Sequence, residues 1–288
     1  MKKTTKKRPL IVLLDAHAII HRAYHAMPDF ATRDGRPTGA IYGFGMMVLN
    51  IIAQFKPDHI IACYDLPGKT FRHESYSEYK AGRGETDEAL KLQFNPTREI
   101  CEAFAIPIYD APGFEADDIL GTIGTQMKNE PVDFMIASGD MDTLQLIDGD
   151  RIRVYTLKKG ITDTVIYNEQ AVIDRYGFPP LSVIDYKALR GDPSDNIPGI
   201  KGIGDKAATI AISKYGTIEK MYDTLKKDGE EALIATGLTK RMVGLIRDGK
   251  EEAEFSKVIA TIRHDAPIEF TIPERSWKDA VDIDRAIE

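Results

Sequence analysis

Three short apolar runs in this chain, residues 10–14, 59–64 and 132–138, each stop at a carboxylate: Asp15, Asp65, and the pair in Gly139-Asp140-Met141-Asp142. Short β-branched runs closed by a polar residue read as buried strands. Stretches with helical periodicity separate them; Ile41, Phe44, Val48, Ile51, Ile52 and Phe55 recur at helix spacing over residues 39–55. Such alternation implies an α/β fold, a mostly parallel central sheet flanked by helices. The C-terminal strand ends then share one edge, where open α/β folds build their sites.

Two further acidic groups follow. Glu115-Ala116-Asp117-Asp118 opens a helical stretch, and Gly191-Asp192-Pro193-Ser194-Asp195-Asn196 sits in a loop. Nine carboxylates would gather at one edge. Two such charges ~4 Å apart repel by about 1 kcal/mol in water and roughly 4 kcal/mol at a protein surface. The cluster makes sense with divalent cations in it, and all-oxygen ligation points to magnesium or manganese. Singly, each carboxylate is ordinary: a solvated loop residue, or a helix cap, since the macrodipole alone favours Asp117 and Asp118 in a first turn. Their combination at three strand ends carries the reading. His17, His21 and His25 follow i, i+4, i+8 spacing, but no Cys or fourth nearby His joins them, so they read as solvated or backbone-bonded.

At 288 residues the chain suits one large or two modest domains. Cys63 and Cys101 are too few for a disulfide framework or a zinc site, which fits a reducing cytoplasm. No apolar run approaches the roughly 20 residues that span a bilayer. The basic start, residues 1–8, reads as a frayed tail, since the apolar stretch after Pro9 is too short for a signal peptide. The net charge of −7 seemingly opposes a nucleic-acid partner, yet setting the nine clustered carboxylates apart leaves +2 for the rest.

Residues 66–98 carry dense charge and few large apolar side chains, and read as a protruding, mobile segment with some helix. Within it, Phe71-Arg72-His73-Glu74 is followed by Tyr76, Tyr79-Lys80 and Arg83. Cations interleaved with aromatics suit phosphate contact and stacking on unpaired bases; an ordinary charged loop is the alternative. Helix resumes at 97–106, a short strand is expected near 106–109, and two strands near 151–157 and 162–167 join around Lys159-Gly160. Helices are expected near 16–29, 115–128, 169–176, 181–190, 205–214, 217–226, 239–247 and 250–260. The pattern divides the chain into an α/β part, 1–175, and a helical part, 176–288. In the latter, Pro198-Gly199-Ile200-Lys201-Gly202-Ile203-Gly204-Asp205-Lys206 forms a turn whose following helix start suits a phosphate. It lacks the Gly-Lys-Ser/Thr of a P-loop. Beside Asp192 and Asp195 it reads as a helix-hairpin-helix gripping a duplex backbone without reading bases, near 190–214.

Together these motifs resemble the 5′ nuclease family of 5′→3′ exonucleases and flap endonucleases, over almost the whole chain to Ser256-Lys257-Val258-Ile259-Ala260-Thr261-Ile262-Arg263. Nuclease domains at the N-terminus of bacterial DNA polymerases are the most similar branch. The resemblance implies a PIN-like core with a helix-hairpin-helix (H3TH) region, and places Asp15, Asp65, Glu115, Asp117 and Asp118 around a first metal. Asp140, Asp142, Asp192 and Asp195 match a second, with Mg2+ in both and Mn2+ able to substitute. Arg72, Lys80 and Arg83 match the basic residues of a helical arch over the single-stranded 5′ end. Tyr24, with Arg22 beside it, matches an aromatic near the scissile bond. Gly199, Lys201, Gly202, Gly204 and Lys206 match the phosphate-gripping hairpin, which also takes K+.

The implied substrates are 5′ flaps, nicked or forked duplexes and RNA primer–DNA junctions, in replication and repair. Two departures stand out. Ala16 replaces a common Gly, and the chain stops at Glu288 within an expected helix, 281–288, where related chains continue into a polymerase. The alternatives are a PIN-like ribonuclease, which leaves the helical half unexplained, a silent scaffold for branched DNA, and an Asp-x-Asp phosphatase, whose Thr/Ser and Lys companions are missing.

Overall fold

The computed structural model describes residues 7–159, 163–282 and 284. The tail at 1–6, the joint at Gly160 and most of the expected helix 281–288 lie outside them. Val281 is extended and ends the short helix before it.

Six strands form one sheet: β1 (Leu10–Asp15), β2 (His59–Cys63), β3 (Ile108–Tyr109), β4 (Asp133–Ala137), β5 (Ile152–Lys159) and β6 (Asp163–Tyr167). Their order is β3-β2-β1-β4-β5-β6, parallel throughout except the antiparallel β5–β6 pair. The chain winds outward from β1 to β3, then returns to lay β4 on the other side of β1. That reversal opens a crevice between β1 and β4 at their C-terminal ends. Asp15 is level with Cys63 on β2, and Leu14 with Ala137 on β4, so the acidic strand ends meet at this crevice.

Side chains alternate across the sheet. Ile11, Leu13, Ile61, Cys63, Phe134 and Ile136 pack on one face, beneath α5 (Ala116–Gln126) and the C-terminal helices. Val12, Leu14, Ile60, Ala62, Met135 and Ala137 pack on the other, beneath α1 (Ala16–Ala26), α2 (Gly39–Phe55) and α4 (Glu88–Ala103). A sheet covered on both faces must be apolar in both registers, which is why these strands read as unbroken apolar runs. The first cluster continues through Val172, Phe178 and Val183 to Ala208, Ile212, Met221 and Val243, so the helical half shares the core of the sheet.

The C-terminal half holds α6 (Glu169–Tyr176), α7 (Val183–Arg190), α8 (Asp205–Tyr215), α9 (Ile218–Asp228), α10 (Glu230–Ile234), α11 (Lys240–Asp248), α12 (Lys250–Ala260) and α13 (Trp277–Ala280). The six expected helices appear there, and α10 and α13 are additions. Residues 66–98 depart most from expectation. They carry α3 (Phe71–Ser75), and α4 begins at Glu88 rather than near 97. Anchor residues of the segment pack down, Arg72 being 2% exposed and Tyr79 4%, while residues 81–85 stay exposed. The buried face of α4 is partly polar, which hid it. Gln93 Oε1 accepts the N–H groups of Ala40 (2.8 Å) and Ile41 (3.2 Å) at the start of α2, and the Tyr64 hydroxyl donates to Thr97 (3.1 Å).

Candidate metal centre and its flanking cavities

Asp15 is the hub. It caps α1, its Oδ1 accepting the Ala18 N–H at 3.1 Å, while its Oδ2 accepts the Ser138 hydroxyl at 2.6 Å. The same hydroxyl accepts the Asp140 N–H at 2.9 Å, so Ser138 ties the end of β4 to the end of β1. Burial, with Asp65 and Asp140 adding to it, pushes Asp15 up to about 7 although the Ser138 bond opposes the rise. Asp65 follows β2, accepts the Ala116 N–H at 2.6 Å, and lies 3.7 Å from His17. The His17 ring accepts the Asp65 backbone N–H at 3.0 Å, the backbone-bonded role expected of it.

The acidic run opening α5 divides sharply by role. Asp118 is fully buried and grips Arg72 through two bonds of 2.9 Å, while its oxygens also accept the N–H groups of Glu115 (3.0 Å) and Arg263 (2.8 Å). Arg72 in turn donates to the carbonyls of Ile259 and Thr261 at 3.1 Å. The pair is an internal clamp between α3, α5 and the end of α12. Arg72 therefore does not lie on an arch facing a nucleic acid: it is enclosed, because a guanidinium with five donors is satisfied here entirely by protein. Asp118 likewise faces inward. Glu115 takes Lys80 at 2.8 Å, with Arg72 at 3.7 Å; burial opposes its charge, yet these two cations hold it below its usual range. Asp117 differs again. Its Oδ1 is sealed without a hydrogen-bond partner, and burial, reinforced by Asp118 and Glu115 against Arg72, pushes its carboxyl well above the usual value.

Across the crevice, Asp142 and Asp192 share one cation. Lys187 of α7 donates to Asp142 Oδ1 and, at 2.5 Å, to Asp192 Oδ2. The two carboxylates respond oppositely. Burial and neighbouring Asp140 push Asp142 up to about 7 despite Lys187. Burial also opposes the charge of Asp192, but Lys187 and two bonds from Ser194 hold it down at about 2. Asp195 takes Arg83 and the Tyr79 hydroxyl (3.2 Å), and its carbonyl accepts the Lys80 N–H at 2.9 Å. The segment carrying Tyr79, Lys80 and Arg83 thus spans from Glu115 to Asp195.

All nine carboxylates lie about this edge, but cations stand between them. Among the described residues, no three His, Cys, Asp or Glu side chains close around a single point. Two cavities flank the cluster. One of about 670 Å³ is lined by Arg22, Asp140, Asp142, Lys187, Arg190 and Asp192 among others. The other, about 570 Å³, is lined by Asp65, His73, Lys80, Arg83, Phe94 and Glu115 among others. His21 faces both. Burial, then the neighbouring His17, Arg83 and His25, lowers its pKa to about 4, so the ring is neutral near pH 7. Tyr24 lines neither cavity; its hydroxyl donates to Asp87 at 2.8 Å. The i, i+4, i+8 histidine spacing was the available signal for His21. Ser138 and Lys187 carried none.

The hairpin after α7 separates into a buried and an open part. Gly199 is enclosed: a Cβ there would sit 2.1 Å from the Gly191 nitrogen, and its N–H is given to Ser256 at 3.0 Å. It permits backbone contact and has no donor left for a phosphate. Lys201, Gly202, Gly204 and Lys206 are exposed, with Gly204 capping α8.

The donor set fits hard divalent cations: all carboxylate, with a buried Asp117 oxygen that has no hydrogen-bond partner and with Asp15 and Asp142 raised by burial among neighbouring carboxylates.

Comparison with known proteins gives concordant results. A family model for the 5′-3′ exonuclease N-terminal resolvase-like domain matches residues 10–177, and one for the 5′-3′ exonuclease C-terminal SAM fold matches 178–282. DNA polymerase I of Bacillus caldotenax is 38% identical over 268 residues, covering 93% of this chain and 29% of that protein. DNA polymerase I of Bacillus subtilis is 35% identical over 266 residues, covering 92% and 29%. The chain thus spans less than a third of the length of these curated relatives. Among solved structures, phage T5 5′-exonuclease with divalent zinc ions bound has a TM-score of 0.68 at 20% identity, covering 87% of this chain and 89% of that one. Human GEN1 in complex with Holliday junction DNA has a TM-score of 0.58 at 13% identity, covering 93% and 63%. At such identities the likeness speaks for the fold.

Proposed function

The chain belongs to the 5′-3′ exonuclease family, and from that premise we propose that it is a divalent-metal-dependent nuclease hydrolysing phosphodiester bonds at the 5′ ends and 5′ flaps of DNA. The observation that carries this reading is the gathering of carboxylates from three strand ends, α5 and the loop after α7 at one crevice between two cavities. In this reading Asp15, Asp65, Glu115 and Asp117 hold one ion, and Asp140, Asp142, Asp192 and Asp195 a second, Mg2+ at both with Mn2+ able to substitute. Bound there, such ions polarise the phosphate, generate hydroxide at neutral pH and stabilise the departing oxygen.

The protein's own groups position the substrate. Lys80, held at 2.8 Å from Glu115, and Arg83 on Asp195 face the cavity and offset charge developing on the phosphate. Neutral His21, near the Phe94 ring at 5.9 Å, offers an aromatic edge where the two cavities meet. Arg22 lines the duplex-side cavity. The open part of the hairpin, Lys201, Gly202, Gly204 and Lys206, holds the downstream backbone, with K+ at its carbonyls. The catalytic part runs to about residue 175 and the duplex-gripping part follows it. Roles in primer removal and repair, beside a polymerase joined downstream, complete the reading.

The test is cleavage of a labelled 5′-flap duplex under a Mg2+ titration, with product ends mapped and an RNA hairpin digested in parallel. Magnesium-dependent cuts at the junction leaving 5′-phosphates are expected. Preferential digestion of the hairpin would point to a ribonuclease, and junction binding without cleavage to a scaffold.

A further inference from the structure

Lys187 places a cation between carboxylates where the nuclease reading puts a divalent ion. Its side chain is 10% exposed, and its ammonium touches carboxylates from the two halves of the chain, Asp142 after β4 and Asp192 after α7. Lysine is almost never buried without such partners. One positive charge facing two carboxylates leaves the group short by one, and Asp140 adds to the deficit on Asp142. A divalent cation between the same oxygens would close it. The ammonium and the ion cannot share that space.

What the displaced side chain would meet is also defined. Lys187 lines the cavity of about 670 Å³ together with Arg22 and Arg190. Arg190 is already paired with Asp205 at the start of α8. Lysine is a compact charge on a flexible four-carbon stem, so it can exchange partners without moving its helix, unlike a planar guanidinium fixed in a fork.

Resting on the nuclease reading above, we propose that Lys187 is an exchangeable counterion: it holds Asp142 and Asp192 together without metal, yields to the divalent cation there, and then contacts a phosphate of the substrate in the adjoining cavity. Metal binding thereby frees a cation for the nucleic acid. The two ligands favour each other through one side chain.

The proposal fixes opposite signs for one substitution. In the full chain without DNA, Mn2+ binding is followed by electron paramagnetic resonance. Lys187→Met should bind the weaker Mn2+ on the order of tenfold tighter, since a buried competing charge is gone. Flap affinity is measured by fluorescence anisotropy in EDTA and with Ca2+ in place of Mg2+. The gain in affinity that metal gives the wild type should shrink severalfold in Lys187→Met. Mn2+ affinity that is unchanged or weaker would overturn the exchange, and an undiminished gain in flap affinity would overturn the phosphate contact. Lys187→Arg keeps the positive charge facing both carboxylates. It should bind Mn2+ no more tightly than wild type, and tighter binding would count against the proposal even if Lys187→Met fails to fold. Flap cleavage by the wild-type protein is scored separately, so a failure of the nuclease reading is not mistaken for a failure of the exchange.

Discussion

Asp117 and Asp118 are neighbours in sequence and opposites in structure, and their asparagine variants should separate accordingly. Asp118 accepts four hydrogen bonds of 2.8–3.0 Å, two from Arg72 and one each from the Glu115 and Arg263 N–H groups. Asparagine keeps the shape but turns one oxygen into an NH2 group facing two of those donors. It also leaves the enclosed Arg72 without its buried counter-charge. Breaking a buried pair on one side costs about 3–5 kcal/mol. With a urea m-value of about 3 kcal/mol/M, the midpoint should fall by more than about 1 M. Mn2+ affinity of the folded variant should stay near wild type, because neither Asp118 oxygen is open to an ion. Asp117→Asn removes a carboxyl whose Oδ1 has no hydrogen-bond partner and only a 4.0 Å approach to Arg72, and whose charge burial already disfavours, so the metal-free protein should be at least as stable as wild type. Its Mn2+ affinity should fall by about a hundredfold, the upper end of what loss of even an outer-shell partner costs. Urea melts and metal titrations of both variants decide the matter. A destabilised Asp117→Asn with intact metal binding, beside a stable Asp118→Asn that binds none, would refute this division of roles.

Two further outcomes follow from the geometry. Asp15 and Asp142 are raised from 3.8 to about 7, so between roughly pH 4 and 7 the folded protein holds protons that the unfolded chain has released. These two carboxyls should therefore make the metal-free protein less stable as pH rises through that window, while His21, lowered to about 4, acts oppositely up to about pH 6.5, so the fall is read above the histidine range. Asp192, held down at about 2, acts only below pH 4 and leaves the window untouched. Thermal melts in EDTA from about pH 6.5 to 8 check the sign, and a midpoint rising with pH over that range would contradict it. Gly199→Ala places a Cβ 2.1 Å from the Gly191 backbone at a φ of +57° and should cost more than about 3 kcal/mol, while Gly204→Ala, with nothing within 4 Å, should cost about 1 kcal/mol or less. Comparable melting temperatures for the two variants would mean that the hairpin does not need the close approach at Gly199.

What the sequence made legible was whatever depends on local pattern. β1, β2 and β4 are continuous apolar runs because both sheet faces are covered, and α6 to α9 and α11 to α12 follow helical spacing. The acidic edge was readable because a parallel sheet fixes where strand ends go. The unread features depend on partners distant in sequence. Arg72 lies in a stretch of cations and aromatics that looks solvent-facing; only Asp118, 46 residues later, and two carbonyls near residue 260 make it internal. The start of α4 was hidden because Gln93 and Thr97, polar by type, are buried by bonds to α2 and Tyr64. Tyr24 drew the aromatic role from the family resemblance, whereas it is His21, one turn earlier on α1, that lines both cavities.

The cations among these carboxylates fall into two physical kinds. Arg72 is 2% exposed, bound bidentately to Asp118 and to two carbonyls, so removing it from Asp118 would strand both charges in the interior. It is part of the scaffold. Lys80, Arg83 and Lys187 each border a cavity while pairing with a carboxylate, the first two from the turn segment between α3 and α4 and the third from α7. Carboxylates arranged for two divalent ions would repel one another without them, and partial neutralisation by these cavity-lining cations offsets that repulsion. Complete neutralisation would serve it badly, because ions must still be attracted. Burial and neighbouring carboxylates raise Asp15, Asp117 and Asp142, so these are the groups from which a divalent ion would have to displace protons on binding.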